Sequence, residues 1–522
     1  MDKPDYILNF DKPKNTEIKY INGNWYLYER HNIYDPKIKR SRKKSGKIIG
    51  KITEKGLTLS KAKKAEKEDL KNDVVEIGAV KYFQEKNKDM EEKLKNYFPD
   101  LWKEIYSFAL IRAIYDCRFR RLQLHYDDSI LSYIYPNLRF DPKRVSEFLN
   151  ELGHQRNTIE EFMEESIKEN NRFILFDGHR LLSSSKSMEN AELGYDSKHR
   201  YKPQINLIYM FSLGENTGYP VYYKQFMGST PDVTAFSDVL KTTENYGKDC
   251  TIVGDKGFAS EEDFSLICDK NLKYIIPLKR GNRYVKDRVP VSPFDYEDVF
   301  TFNDRAIQSI TFEEDDFNIH LFLDTDLYAQ EIADLTKRTE KKNDIISKKI
   351  DKEQKKRINN KGKLSDEELE SLVPITLKDM LSNKQEIGIG TITIKTNRKD
   401  LNAVQVYCIY KQRQSIEQFF KTYGDTMEFE ASYMRNNYCE EAWLFLNHLS
   451  SIISINMIED IAAIGESKNI SYKDLVQTLT KIKANIGSEK ISIVPIKKSV
   501  NKLCSKLNYD PTDLSNLNLP DD

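Results

Sequence analysis

RFILFDGHR, residues 172–180, is a short apolar run that stops at Asp177 and reads as a buried strand. Downstream, QINLIYMFSLG (204–214) and YPVYYKQFMGS (219–229) flank GENTG and read as a hairpin. STPDVTAFSDVLKTTENYG (229–247) reads as a helix, with Thr230 as cap and Pro231 in its first turn. DCTIVGDKGF (249–258) is a second buried strand, ending at Asp255, followed by the capped helix SEEDFSLICDK (260–270) and the strand LKYIIPLKR (272–280). The order is β, β, β, α, β, α, β. Three antiparallel strands followed by helix–strand alternation predict a mixed sheet covered by helices.

Residues 281–400 interrupt this pattern. They hold β-like pieces (DVFTFND, AIQSITFEE, NIHLFLDTD, IGTITIKTN) and, from Tyr328 to about Gly362, a charged stretch that reads as a solvated helical arm. The pattern resumes with AVQVYCIYKQRQSIEQFF. On the amino-terminal side, EIKYI and WYLYE flank Asn22-Gly23, a hairpin signal, and KIIGKIT adds a third strand. Between those strands, KIKRSRKKSGK (37–47) carries seven basic residues and no acid. Such a run is usually a solvated loop. Beside Trp25, Tyr26, Tyr28 and Tyr34, contact with a DNA backbone through Lys37, Lys39, Arg40, Arg42, Lys43 and Lys44 is the competing reading. Residues 60–170 show apolar spacings of three and four and read as mostly helical, with Asn157 and Glu160 forming a capping-box pattern.

The division expected is a small basic β-rich DNA-binding unit (1–60), a helical DNA-binding and linking region (61–170), a catalytic core (171–280 and 401–460), a β-rich insertion with its arm (281–400) and a helical tail (461–522). A chain of 522 residues has room for several domains. Its 82 basic residues balance 82 acidic ones, so any polyanion must be met by local clusters. The start MDKPDYILNFDKPK is no signal peptide. The apolar segment AWLFLNHLSSIISINMI carries Asn447, His448 and Asn456 and reads as a buried helix, so no membrane association is expected. The six cysteines form no CxxC pair, which fits a reducing cytoplasm and argues against zinc.

Asp177 and Asp255 each end an apolar strand, the edge where ligands bind in open α/β sheets. Glu417 sits on the helix after the interruption. Three acids of this kind suit hard divalent cations, and two such ions about 4 Å apart serve phosphoryl transfer. Tyr410, Arg413, Glu417 and Lys421 fall within a helical stripe about 80° wide. Arg413 could neutralise a phosphate, and Tyr410 could stack on or bond to a nucleotide. The plainer readings are turns or caps for the aspartates and a surface pair for Glu417 and Lys421.

FDGHRLL around Asp177, VGDKGFAS around Asp255 and YKQRQSIEQFFK around Glu417, in that order with a large insertion before the glutamate, resemble a bacterial insertion-sequence transposase of the DDE type. GYDSKHRYKPQINLIY and ASYMRN are similar to the same family. The resemblance implies an α/β multidomain chain with an RNase H-like mixed-sheet core. In it Asp177, Asp255 and Glu417 hold two Mg²⁺ ions, replaceable by Mn²⁺. It implies cutting at the transposon's terminal inverted repeats, attack by the freed 3′-OH on the opposite strand or the target DNA, and a homodimer in the synaptic complex. Tyr410, Arg413 and Lys421 would grip the DNA end, and the cell's nucleoid would be its setting. The signature Tyr-x2-Arg-x3-Glu-x6-Lys departs at its last position, which is Gly424, and Lys421 lies one turn earlier. His179 stands where a smaller residue is expected. A decayed, non-catalytic DNA-binding derivative and a metal-dependent nuclease are the alternatives.

Overall fold

The computed structural model describes the chain apart from residues 1–2, 36–39, 61–72, 170–171, 184, 196–200, 215–217, 243–248, 287, 291–294, 359–364, 366–367, 369–371, 377–378, 380–387, 414–430, 433, 488–490 and 516–522. It packs as two compact units, one of Met1–Lys86, Leu124–Leu138 and Ile464–Asp522, the other of Asn87–Gln123 and Arg139–Ala463.

The first unit opens with an antiparallel sheet of β1 (Thr16–Ile21), β2 (Asn24–Asp35), β3 (Arg40–Thr53) and β4 (Gly56–Leu59) in that order. Asn22 (φ 49°) and Gly23 (φ 80°) make the expected tight turn, since both positions require the left-handed region. Ile7, Leu27 and Ile52 form the small core, with Trp25 and Phe10 packed against it. The basic run differs from the loop reading. Arg40–Lys47 belongs to β3, in register from Asp35↔Arg40 to Arg30↔Ser45. It holds basic residues, serines and a glycine but no apolar residue, so periodicity gave no strand signal. β1 covers β2 only from Asn24 to Glu29, and β4 covers β3 only from Gly50 to Thr53, so the rest is a two-stranded ribbon. Lys37 and Lys39 lie outside the described residues.

A further strand, β5 (Asp73–Glu76), interrupts the region expected to be helical, pairing antiparallel with Lys483–Ile486. Glu76 then caps the next helix, accepting from the Ala79 backbone N–H at 2.6 Å. The tail likewise mixes short strands with the helices Tyr472–Leu479 and Lys498–Lys506.

The second unit is a mixed α/β body around an 11-stranded sheet. Its strands are β6 (Phe173–Ser183), β7 (Glu192–Tyr195), β8 (Tyr201–Leu213), β9 (Gly218–Met227), β10 (Thr251–Val253), β11 (Lys273–Pro277), β12 (Asp298–Phe302), β13 (Arg305–Glu313), β14 (Asn318–Asp324), β15 (Thr391–Thr396) and β16 (Ala431–Ser432). β6 runs antiparallel to β8, and β8 to β9. On its other side β6 is parallel to β10, and β10 to β11. Helices Asp232–Thr242 and Glu261–Asp269 connect these strands, the second opened by a Ser260 capping box.

The inserted strands do not stand apart from this sheet. β15 pairs antiparallel with β11, and β14, β13 and β12 continue the ladder outward. The charged stretch is a 34-residue helix, Thr325–Ile358, about 50 Å long at 1.5 Å per residue. Its first half is fixed by Leu335 against Ile389 and by Asn343 bonding both backbone groups of Ile375, and Glu353 is buried nearer its far end.

The apolar segment near residue 450 is the helix Asn437–Ala463, buried over most of its length and packed on helices Trp102–Tyr115 and Pro142–Gly153. Gly153 is required there, because a β-carbon would come within 1.9 Å of the Tyr438 carbonyl. Among the described residues, no helix is long and apolar enough to cross a membrane.

Candidate active site

Three buried residues, Ile174, Leu175 and Phe176, fix β6 in the centre of the sheet. Phe176 meets Phe236 at 4.9 Å on the face covered by the Asp232–Thr242 helix. Alternation along the strand sends Gly178 and Arg180 to that face and Asp177 to the other. Arg180 bonds Asp232 at 2.5 Å, Asn206 bonds it at 3.0 Å, and a β-carbon on Gly178 would lie 3.3 Å from the same carboxyl. This trio, which the sequence reading missed, pins β6 from behind.

β10 is in parallel register with β6, the last pair being Val253↔Leu175. Two residues beyond that pair stand Asp177 and Asp255. Asp255 lies just past the end of β10, as expected, but Asp177 does not end its strand: β6 runs on to Ser183, because its ladder with β8 continues through the polar residues. Asp255 also opens a short turn, accepting from the Lys256 backbone N–H at 2.6 Å. The cap reading of Asp255 is therefore true of one of its oxygens, and does not exclude a second role.

The third participant comes from the helix Ala403–Lys411, opened by a capping box between Asn402 and Gln405. Tyr407 anchors it, its ring 4.8 Å from Phe322, 5.4 Å from Phe300 and 5.3 Å from Phe302. The inserted strands β12 and β14 thus hold this helix in place. Two residues past its end, Arg413 reaches between the strands. Its Nη1 donates to Asp255 Oδ1 at 3.1 Å, and its Nη2 lies 3.8 Å from Asp177 Oδ1. The guanidinium and the Asp177 carboxyl are 18% and 16% exposed, so the cluster is only partly screened by water. Tyr410, one turn earlier, is half-buried. Glu417, Lys421 and Gly424 lie outside the described residues.

Among the described residues, no trio of Asp, Glu, His or Cys gathers as a metal-ligand cluster. The donor chemistry of the pair nevertheless fits a hard divalent ion: two carboxylates already share one cationic group.

Behind Asp177 lies a polar layer. Tyr209 pairs with Asp177 across the β6–β8 ladder, and its ring is 6.3 Å from that of buried His448. Burial, with Lys93 adding to it, pushes the His448 imidazole down to about 3, so it is neutral. Glu441 accepts from the Tyr223 hydroxyl at 2.8 Å and from Gln225 at 2.5 Å, and pairs with Arg156. Arg156 begins helix Arg156–Glu169 and also binds Glu160, so Asn157 lies inside the first turn and the expected capping box does not form. Neighbouring Glu440 bonds Ser432 at the end of β16, which pairs with β6. Burial raises the Glu440 carboxyl to about 8, the Ser432 bond opposing and Glu441 adding to the rise. The only sequence signal for this layer was an acid pair at the head of an apolar helix.

The raised carboxyl has a consequence for stability. Folded Glu440 holds its proton from the ordinary value of 4.5 up to about 8, whereas the unfolded chain releases it. The folded state binds more protons in that window, so stability falls as pH rises through it. Urea unfolding of wild type at pH 5 and pH 8 is expected to show this loss, and Glu440→Gln is expected to flatten it. An unchanged slope in the variant would assign the pH dependence elsewhere.

A cleft of about 660 Å³ lies toward the amino-terminal end of β6, bordered by Ser212 and Tyr219. Asp89, Glu92, Glu165 and Glu459 outnumber Lys93 in its lining, which suits no polyanion.

No curated protein matches the chain. Residues 169–453 match the family model described as a transposase DDE domain, a span that takes in β6, β10, the inserted strands and the Arg413 segment. More than half of the sequence lies within that match, and the chain belongs to the family of transposases with a DDE domain.

Proposed function

We propose that this transposase cuts the DNA ends of an insertion sequence and joins them to target DNA by divalent-metal phosphoryl transfer. The observation that carries this reading is that Asp177 on β6 and Asp255 just past the end of the parallel neighbour β10 come together on Arg413. The strand order β9-β8-β6-β10-β11, with a hairpin on one side of the first strand and two parallel strands on the other, supports an RNase H-like core.

In this reading Asp177, Asp255 and Glu417 are the metal ligands. Two bound Mg²⁺ ions would supply charge stabilisation at the attacking and leaving oxygens. Arg413, Tyr410 and Lys421 hold the scissile end, the guanidinium by paired bonds to a phosphate. Residues 171–280 and 401–460 form the catalytic core, and 281–400 buttresses its helix and lends the arm to DNA. Residues 1–60 bind the terminal repeats through Lys37, Lys39, Arg40, Arg42, Lys43 and Lys44. Segments 61–170 and 461–522 link and support these parts. Two copies synapse two ends in the cytoplasm, on the nucleoid.

The test is a cleavage and strand-transfer assay on DNA carrying the ends that flank the gene. Wild type with Mg²⁺ is expected to nick and join. Chelation and Glu417→Gln are each expected to abolish both products. Binding without cleavage by wild type would identify a decayed derivative, and cleavage without joining a nuclease.

A further inference from the structure

Two neighbouring carboxylates repel each other unless a cation lies between them. Here that cation belongs to the chain. Arg413 bonds Asp255 at 3.1 Å and approaches Asp177 to 3.8 Å, and Asp255 Oδ1 takes the guanidinium alongside its own turn N–H from Lys256. A divalent ion bridging the Oδ1 atoms of Asp177 and Asp255 would occupy the place Arg413 now takes. The two cations compete for one place.

Arg413 lies beyond the part of its helix that packing on the inserted strands fixes. Val406 and Tyr407 are buried and fix the foot of the Ala403–Lys411 helix. From Cys408 to Arg413 the chain is only half-buried. The guanidinium ends a long side chain, so rotation about its own bonds can carry it outward while the helix stays.

We infer that Arg413 is a displaceable counter-ion. It holds Asp177 and Asp255 together in the metal-free protein, and a divalent ion entering the pair expels it. The expelled guanidinium then faces outward, where a DNA phosphate can take it up. Metal loading and phosphate capture become one linked event, each favouring the other. The inference rests on the reading of Asp177 and Asp255 as a metal-binding pair. It differs from a fixed structural role, in which Arg413 orients the carboxylates whether or not metal is present.

The two roles predict opposite signs. The experiment is Mn²⁺ binding to the full-length protein without DNA, by calorimetry and by the paramagnetic signal of free Mn²⁺. Arg413→Gln is expected to bind Mn²⁺ about tenfold tighter or more, in line with what an arginine contributes to a neighbouring carboxylate's affinity for its proton. Arg413→Lys keeps the charge, provides a second variant if the first does not fold, and is expected to fall between. Without metal, Arg413→Gln should melt below wild type, and Mn²⁺ should raise its melting temperature by more. Adding Asp177→Asn should erase the tightening.

Equal or weaker Mn²⁺ binding by both arginine variants, with wild type binding, would overturn the counter-ion role and leave the metal site standing. Absence of binding in wild type and all variants would overturn both.

Discussion

Asp177→Asn and Asp255→Asn are each expected to lower Mg²⁺-dependent strand cleavage on the order of 10³-fold. Asparagine has the same shape but one charge fewer, and it offers an N–H₂ where a carboxylate oxygen stood. The fold should survive, because the apolar part of β6 holds the strand and Arg413 keeps the remaining carboxylate as partner. The measurement is single-turnover nicking of end DNA beside the melting temperature of each variant. Because the two aspartates act as a unit, the double variant should be little worse than either single one. A variant within tenfold of wild type would remove that aspartate from the catalytic set.

The second large effect concerns stability. Glu441→Ala is expected to destabilise the unit around the large sheet by about 3–5 kcal/mol, the range for removing one partner of a buried ion pair. The Glu441 side chain is 3% exposed and takes three donors at once, from Tyr223, Gln225 and Arg156. Without it, the buried Tyr223 hydroxyl is left with the backbone carbonyl of residue 441 at 3.3 Å, the half-buried Gln225 amide loses this acceptor, and Arg156 keeps Glu160. Tyr223 registers this environment already: burial first, and the Glu441 charge next, hold its phenol well above the usual tyrosine range. Glu441→Gln keeps an acceptor oxygen and should cost less. Urea unfolding followed by circular dichroism measures both. A shift under about 1 kcal/mol for the alanine variant would mean that water or neighbouring groups take over the three donors.

The centre of the sheet was legible because short apolar runs met unambiguous punctuation. FILF ends at Asp177-Gly178, TIV ends at Gly254-Asp255, and Asn22-Gly23 marks its turn. The arm was legible because 34 residues of high charge without proline could form only a solvated helix. Pairing partners far apart in the chain were not legible. Asp73–Glu76 is a strand because Lys483–Ile486 pairs with it, and nothing within a local window says so. The basic ribbon was hidden for a related reason, since its partner strand rather than any apolar alternation keeps it extended. Of the candidate site, Asp255 could be named from a strand end and Arg413 from helix spacing, whereas at Asp177 the apolar run ends but the strand does not, running on to Ser183. That Arg413 faces the aspartates rather than solvent depends on Tyr407 seating the helix among Phe300, Phe302 and Phe322, all contributed by the inserted strands.

The pairing of β15 with β11 also sets a timetable. Asp177 and Asp255 are made early on the ribosome, but the edge of β11 at residues 275–277 waits for residues 394–396 to arrive. Contacts this distant in sequence are slow to form. Arg413 follows them, after the whole insertion has been synthesised and laid onto the sheet. A nascent chain therefore carries its basic ribbon long before Arg413 can reach between Asp177 and Asp255.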